Sequence, residues 1–184
     1  MLRVIAGTAG GIFLQAAKGP DVRPTQDRVK QSLFSALGEL VIDAEILDLY
    51  AGTGALGIEA LSRGAKSATF VEQNSKCISA IKDNLKRCHL EGILSAQPVE
   101  KWLNQSAGKS YDLIFCDPPY HQFKEPLQNH PLWAQAQTLL NPQGFILFEH
   151  FFKHSLDLPS PFEITQQKRY GDTTISWVRT NRST

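Results

Sequence analysis

The stretch Ile46–Gly64, with the sequence ILDLYAGTGALGIEALSRG, constrains the fold of this chain more strongly than any other. Its first five residues have the length and composition of a buried parallel strand. A glycine-rich turn follows at residues 51–54, and the residues after it carry apolar side chains at helical spacing. A strand, a tight turn and a helix in this order present backbone N–H groups and the positive end of a helix to a ligand. The stretch therefore predicts a binding site at the carboxyl end of a parallel strand.

Two features indicate that this ligand contains a nucleoside. Gly52 and Gly54 permit positive φ angles and the close approach of a ligand, both of which a Cβ atom would hinder. Residues 68–72 form a second predicted strand, and it ends in Glu72, twenty residues after Gly52. At this offset an acidic side chain reaches the ribose hydroxyls of a nucleotide bound at the turn.

Predicted strands and helices alternate along the rest of the chain. This alternation, closed by a hairpin, predicts an α/β fold with a doubly wound, mostly parallel sheet and an antiparallel edge. Further strands are expected at 93–99, 111–116 and 145–149, helices at 75–88 and 132–140, a turn at 141–144, and a terminal hairpin at 162–169 and 173–178.

The N-terminal residues 1–38 are predicted to extend the main domain, which comprises residues 39–184. Residues 3–7 and 11–14 are short apolar runs on either side of a glycine-containing loop, a pattern typical of a β-hairpin. A helix is expected next, with Thr25 as its N-cap and an apolar face that includes Leu33 and Phe34.

The sequence Asp117-Pro118-Pro119-Tyr120 directly follows the predicted strand at 111–116. The two prolines remove backbone donors and stiffen the turn, which leaves the Asp117 carboxylate and the Pro118 carbonyl as fixed acceptors. Two acceptors beside the Tyr120 ring suit a planar substrate with an NH₂ group, because the ring can stack on the substrate. Holding both N–H bonds also keeps the nitrogen lone pair directed at an electrophile. This strand end therefore predicts chemistry on an amine.

Charge is unevenly distributed, although the net charge is only +1. Residues 1–30 contain five basic and two acidic residues, and residues 151–184 contain five basic and three acidic residues. Basic ends around an acidic centre suit a protein that meets a polyanion at its periphery, although ordinary surface charge explains them equally well. The phosphate contacts are predicted at five cations: Arg3, Lys18, Arg23, Arg28 and Lys30.

Other features of the composition limit where the protein acts. A chain of 184 residues fits one domain with a small extension, and no apolar segment approaches the length that spans a bilayer. No signal peptide is recognisable. The three cysteines, Cys77, Cys88 and Cys116, lack metal-ligand spacing and are interpreted as reduced thiols of a cytoplasmic protein without a metal site.

The motifs together resemble a known family. The glycine stretch, Glu72 and CDPPY are similar to the class I S-adenosylmethionine-dependent methyltransferases that modify amino groups. The stretches RVIAG, VRPTQDRVKQSLFSAL and YGDTTISWV extend the resemblance over almost the whole chain, to the RsmD-type enzymes. These methylate the N2 amine of a guanine in small-subunit (16S) ribosomal RNA. The resemblance implies a Rossmann-like sheet of seven strands.

The resemblance also implies site residues. It predicts that S-adenosylmethionine contacts Asp48, Ala51, Gly52, Thr53, Gly54, Glu72, Gln73 and Val99. Asp117, Pro118 and Tyr120 are the predicted catalytic residues, and Arg23, Thr25, Arg28, Pro119 and Tyr120 are the predicted substrate contacts. The implied partner is ribosomal RNA in a small ribosomal subunit or assembly particle. The protein is expected to act as a monomer and to bind no membrane.

Two departures from the family pattern concern substrate and cofactor. The family's N-terminal hairpin usually carries basic residues after the glycine, whereas GTAGGIFL has none. The third strand usually ends in an acid near the adenine, and Pro98 occupies the matching position here. Adenine recognition is then expected from backbone groups around Val99 and from apolar packing.

Alternative functions remain open at the sequence level. The proline-tyrosine motif also occurs in DNA adenine and protein glutamine methyltransferases, and a non-catalytic ribosome assembly factor could keep the fold. Gly52, Gly54 and Gly57 also satisfy the dinucleotide fingerprint of a nicotinamide dehydrogenase. The sequence shows no paired His or Lys for a hydride acceptor, however, and CDPPY has no role in such an enzyme.

Overall fold

The computed structural model describes residues 2–16, 27–119 and 127–181. The helices are α1 (Asp27–Leu37), α2 (Ala55–Ser62), α3 (Ser75–Cys88), α4 (Val99–Leu103) and α5 (Leu132–Leu139), with 3₁₀ turns at Gly38–Val41 and Leu127–Asn129. The strands are β1 (Glu45–Leu49), β2 (Ser67–Glu72), β3 (Ile93–Ala96), β4 (Tyr111–Cys116), β5 (Leu140–Phe151), β6 (Phe162–Tyr170) and β7 (Thr173–Thr180).

The seven strands form one sheet in the order β3-β2-β1-β4-β5-β7-β6. The first five are parallel, and β7 lies antiparallel between β5 and β6. The chain runs outward from β1 to β3 and then returns to β4 on the other side of β1. The strand order therefore reverses between β1 and β4, where open α/β sheets bind their ligands. The predicted doubly wound fold with an antiparallel edge is confirmed.

Helices cover both faces of the sheet, which explains why the central strands are apolar on both sides. One buried cluster joins α1, α2 and α3 to alternate strand residues that include Ile46, Phe70 and Phe115. The second cluster lies under α4 and α5 and includes Ile114 and Phe148. Across the described ranges, every helix is too short or too polar to pass through a membrane.

The N-terminal segment, residues 2–16, forms the predicted hairpin in a short and irregular form, with no regular strand in either arm. Three backbone hydrogen bonds of 2.9 Å, from the N–H groups of Val4, Gly11 and Leu14 to the carbonyls of Ile12, Val4 and Leu2, join the two arms around a bridge between Arg3 and Phe13. Glu59 of α2 accepts from two further N–H groups of the segment, those of Ile5 at 2.7 Å and Ala6 at 3.1 Å. The hairpin is therefore held both by pairing between its arms and by docking on α2.

A buried ion pair joins α1 to α2. The Lys30 ammonium lies 3.3 Å from the Glu59 carboxylate, and both side chains are fully buried. Lys30 also donates to the Arg3 carbonyl, and Arg63 Nε donates to Glu59 at 2.7 Å. Burial lowers the pKa of Lys30, while the neighbouring Glu59 charge opposes this shift. The predicted phosphate contact at Lys30 is therefore wrong, because its side chain faces α2 rather than solvent.

Two predicted boundaries also differ. The third strand ends at Ala96 rather than at residue 99, since Pro98 precedes the first turn of α4. The predicted turn at 141–144 instead lies within β5, as a bulge between the pairs Tyr111–Leu140 and Leu113–Phe145. Asn141 Nδ2 donates to the Asp112 carboxylate at 2.7 Å, which ties the bulge to β4.

We expect Glu59→Gln to lower the free energy of unfolding by about 3–5 kcal/mol, because it leaves the Lys30 charge buried without its carboxylate. Urea unfolding measures this change. The matched control is Glu163→Gln, which breaks the exposed Arg179–Glu163 pair at 2.8 Å and should cost about 1 kcal/mol or less. Equal costs for the two variants would contradict a stabilising role for the buried pair.

Candidate active site

The glycine turn after β1 has an open side and a packed side. Gly52 and Gly54 have φ angles of +55° and +78°, as the sequence predicted. A Cβ atom on Gly52 would meet only the Tyr50 carbonyl oxygen, at 4.0 Å, whereas one on Gly54 would lie 3.2–3.3 Å from side chains of α2, α3 and β2. Gly52 therefore borders open space in which a ligand can approach the backbone.

Asp48 lies beneath this turn. Its Oδ2 accepts from Gly57 N–H at 2.9 Å, and its side chain is buried. A Cβ atom on Gly57 would lie 2.3 Å from the Phe70 ring, so this glycine permits α2 to pack closely on the sheet. Burial raises the pKa of Asp48 to about 8. The structure thus makes Asp48 a support of the turn, and its predicted contact with cofactor stays a prediction.

Glu72 reaches the open side of the turn from the end of β2. Its Oε2 accepts from Gly52 N–H at 2.8 Å, and its Oε1 accepts from the N–H groups of Gln73 and Asn74, each at 2.8 Å. Asn74 in turn caps α3. The offset of twenty residues therefore brings the acid to the glycine turn, and its contact with ribose hydroxyls stays a prediction.

The remaining predicted cofactor residues surround the same strand ends with different exposure. Ala51 and Thr53 are buried within the turn, and Gln73 is exposed after β2. Val99 is buried as the first residue of α4, which follows the short loop after β3.

Asn84 is a turn-supporting residue that sequence reasoning missed. It is fully buried on the apolar face of α3 and donates through Nδ2 to the Thr53 carbonyl at 3.0 Å. The same side chain accepts from Gln15 N–H at 2.7 Å and donates to the Gln15 carbonyl at 3.1 Å. It therefore links the N-terminal segment to the glycine turn. A polar residue at an apolar helical position was the available sequence signal.

A cluster of three polar side chains, Tyr50, Glu100 and His130, lies beside the turn. The Tyr50 hydroxyl is 3.0 Å from His130 Nε2 and 3.3 Å from Glu100 Oε1, and Tyr50 itself has a φ angle of +57°. Burial lowers the pKa of His130 to about 4, so the ring is neutral at pH 7. None of these three residues is a site residue that the sequence motifs predict.

The end of β4 forms the other half of the site. Leu49 of β1 pairs with Cys116 of β4, so Asp117 begins level with the start of the glycine turn. Pro118 is buried and Pro119 is half-buried. Predicted contacts Tyr120, Arg23 and Thr25 lie outside the described residues, and Arg28 is exposed near the start of α1.

Asp117 also borders a shallow, mostly apolar hollow between α1 and the strand ends. The lining residues are Leu33, Leu56, Phe115, Cys116, Asp117, Leu147, Glu149 and Ile175. Phe115 pairs with Leu147 and Cys116 with Phe148, and continuing this register sets Asp117 beside Glu149. Glu149 was missed as a site residue; its signal was an acid at the end of a buried strand.

The strand order and the strand-end features define a class I methyltransferase fold. A candidate methyltransferase of Escherichia coli, yhhF, has the same fold with a TM-score of 0.85 and 27% sequence identity, over 98% of this chain and 99% of that one. The chain belongs to the RsmD family, whose sequence profile, described as "Conserved hypothetical protein 95", matches residues 2–179.

Two curated relatives cover nearly the same length. The Haemophilus influenzae protein named ribosomal RNA small subunit methyltransferase D is 36% identical over 92% of this chain and 89% of its own. A candidate rRNA methyltransferase of Bacillus subtilis, YlbH, is 35% identical over 95% of this chain and 97% of its own. The sequence resemblance to this family is thus confirmed.

We expect Asp48→Asn to change how stability depends on pH. Burial raises the pKa of Asp48 to about 8 in the folded protein, from 3.8. The contribution of this carboxyl group to the free energy of unfolding is therefore fully present below pH 4 and is lost as the pH rises through 8. The amide that this substitution introduces keeps an oxygen acceptor for Gly57 N–H and has no charge to bury. Denaturant unfolding between pH 5 and 8 should therefore show wild-type protein losing stability relative to the variant. Parallel curves would contradict the raised pKa.

Proposed function

We propose that this protein transfers a methyl group from S-adenosylmethionine to the N2 amine of a guanine in small-subunit (16S) ribosomal RNA. The observation that carries the proposal is the placement of two functional strand ends side by side. The glycine turn with Glu72 follows β1 and β2, and Asp117-Pro118-Pro119 follows β4, which pairs directly with β1. Relatives named for methylation of small-subunit ribosomal RNA support the substrate class.

The residues of the turn fit S-adenosylmethionine. Open space in front of Gly52 admits a ligand to the backbone, and the Glu72 carboxylate lies at this opening, where it can accept from ribose hydroxyls. The buried start of α4 at Val99 offers an apolar contact for an adenine. When bound, this cofactor supplies an electrophilic methyl group on a sulfonium. A candidate methyltransferase of the same fold, SMU.776, was solved in complex with SAH, at 16% identity and a TM-score of 0.65.

Asp117 and Pro118 hold the amine in this proposal. The exocyclic nitrogen of guanine is a poor nucleophile because its lone pair is delocalised into the ring. The Asp117 carboxylate and the Pro118 carbonyl each accept a hydrogen bond from one N–H group of the amine. This directs the nitrogen lone pair toward the methyl donor. Tyr120, in the role that the sequence motif predicts for it, stacks on the base. The base must leave its stack to enter, as with other enzymes that modify bases.

The identity of the product distinguishes this proposal from its alternatives. Incubation with S-adenosylmethionine and either 16S ribosomal RNA or small-subunit particles, followed by mass spectrometry of nucleosides, should detect N2-methylguanosine. N6-methyladenosine or methylated glutamine would identify another amino-methyltransferase, and no methylated product would favour a non-catalytic assembly factor. We expect the particle to be the better substrate, and the protein to act as a cytoplasmic monomer.

We expect Gly52→Ala to weaken S-adenosylhomocysteine binding by at least about 10-fold, because the added methyl group enters the open side of the turn. Calorimetric titration measures this affinity. The matched control is Gly38→Ala, since Gly38 has a φ of +52° and also borders open space. Both variants carry a similar backbone strain, but only the first stands at the turn. Equal affinities for the ligand would remove the cofactor assignment.

Asp117→Ala should reduce turnover by about 10²-fold or more, the usual range for a positioned polar group. S-adenosylhomocysteine affinity should change little, because the substitution affects the amine side of the site. Asp117→Asn keeps one oxygen acceptor and should retain more activity than Asp117→Ala. Single-turnover methylation with saturating cofactor tests this order. Normal turnover by Asp117→Ala would exclude the proposed role.

A further inference from the structure

The tip of the β6–β7 hairpin and the adjoining turn after β5 carry a group of exposed cations and aromatic rings. We define the hairpin patch as Lys153, Lys168 and Arg169 together with the rings of Phe152 and Tyr170. The three cations are exposed and the two rings are half-buried. The proposed function so far assigns no role to this surface.

The patch lies on the same edge of the sheet as Asp117. Glu149 pairs with Ile175 across β5 and β7, and Ile175 pairs with Lys168 across β7 and β6. Since the register of β4 sets Asp117 beside Glu149, the four residues form a row across four strands. Three spacings of about 4.8 Å place the Lys168 Cα roughly 15 Å from that of Asp117. Lys168 therefore lies outside a base pocket at Asp117 but beside its approach.

Contacts with neighbouring side chains hold two of these cations in place. Lys168 Nζ and the Tyr170 hydroxyl each donate to Ser32 Oγ of α1, both at 2.9 Å. The Arg169 guanidinium carbon lies 3.6 Å from the centroid of the Phe152 ring, and Arg169 Nε donates to the Gly171 carbonyl at 2.7 Å. Side chains fixed in this way lose less conformational entropy when an anion binds.

The three cations of the patch have no acidic partner among the described residues, in contrast to Arg3 and Arg179. Arg3 is within 3.9 Å of Asp27, and Arg179 is within 2.8 Å of Glu163. Among the described residues, Lys153, Lys168 and Arg169 form no ion pair at all. The adjoining turn contributes one acid, Asp172. The patch thus keeps a positive excess at the edge of the site.

We propose that the hairpin patch binds the phosphodiester backbone of the substrate RNA beside the base held at Asp117, an inference that rests on the proposed function. An arginine presents a planar fork of donors that matches phosphate oxygens. The partly exposed rings of Phe152 and Tyr170 suit an unpaired base next to the target, because single-stranded RNA is commonly bound by stacking. Phosphate contact is thus assigned to the hairpin patch instead of to Lys30, whose side chain is buried.

The test compares two double variants with the same change in charge. Lys168→Gln with Arg169→Gln removes the patch cations. Lys86→Gln with Arg87→Gln removes two exposed cations from the last turn of α3, at the opposite edge of the sheet. RNA affinity is measured from low to moderate salt, with unmodified 16S ribosomal RNA as the probe. S-adenosylhomocysteine affinity and thermal unfolding are measured for each variant.

The patch variant should bind RNA at least about 10-fold more weakly at low salt. The slope of log affinity against log salt should become shallower by about 0.7 units for each phosphate contact removed. The control variant should keep the slope of wild type, and all three proteins should bind S-adenosylhomocysteine equally. Lys153→Gln is an independent variant, since its ammonium contacts the Phe152 ring at 5.7 Å and its removal leaves the Ser32 bonds intact. It should also lower the slope.

Equal slopes for the patch and control variants would overturn the inference. Unchanged affinity for RNA with a loss of methylation only on ribosomal particles would also overturn it, because the patch would then contact a ribosomal protein. Methyl transfer to guanine by the wild-type protein tests the proposed function separately. A wild type that methylates guanine while both slopes agree therefore refutes the patch alone.

Discussion

The parallel pairing of β1 with β4 is the interaction on which the candidate site depends. It aligns Leu49 with Cys116, and both strands then end at the same edge of the sheet. Because the chain leaves β1 through the glycine turn and leaves β4 through Asp117-Pro118-Pro119, this one register brings two distant stretches together. A shift by one residue would turn each side chain of the shifted strand to the opposite face of the sheet. The buried, apolar faces of both strands prevent such a shift.

Buried polar side chains attach the N-terminal segment to this pair of strands. Glu59 accepts from Ile5 and Ala6, and Asn84 binds Gln15 on one side and the Thr53 carbonyl on the other. Each bond replaces water that the backbone would otherwise need, so removing either side chain leaves buried polar groups unsatisfied. Because Asn84 reaches both the segment and the glycine turn, the position of the segment and the shape of the turn depend on one side chain. The segment is therefore part of the site's support, although it pairs with no strand of the sheet.

The sequence predicted those features that depend on local patterns. Gly52 and Gly54 could be identified because a tight strand-to-helix turn requires positive φ, and Glu72 because its offset from the turn is fixed by the length of one βα unit. Lys30 could not be placed, since its burial depends on which face α1 turns toward Glu59, a residue 29 positions away. The bulge at the start of β5 was missed for a similar reason. Asn141 and Gly144 are typical of turns, and it is the pairing with β4 on either side of them, with the Asn141–Asp112 bond, that keeps them in the strand.

Acidic and basic side chains lie at different distances from the point where the strand order reverses, with the acidic ones nearer to it. Asp117 and Glu149 border the hollow at the ends of β4 and β5, where the N–H donors of a base would be held. Lys168 and Arg169 lie on the outermost strand, where phosphates of a bound strand would pass. Bases present N–H donors and the backbone presents anions, so one RNA segment needs both kinds of surface within a short distance. A net charge of +1 is consequently compatible with binding a polyanion, because the position of the cations and not their number determines which part of the RNA each strand meets.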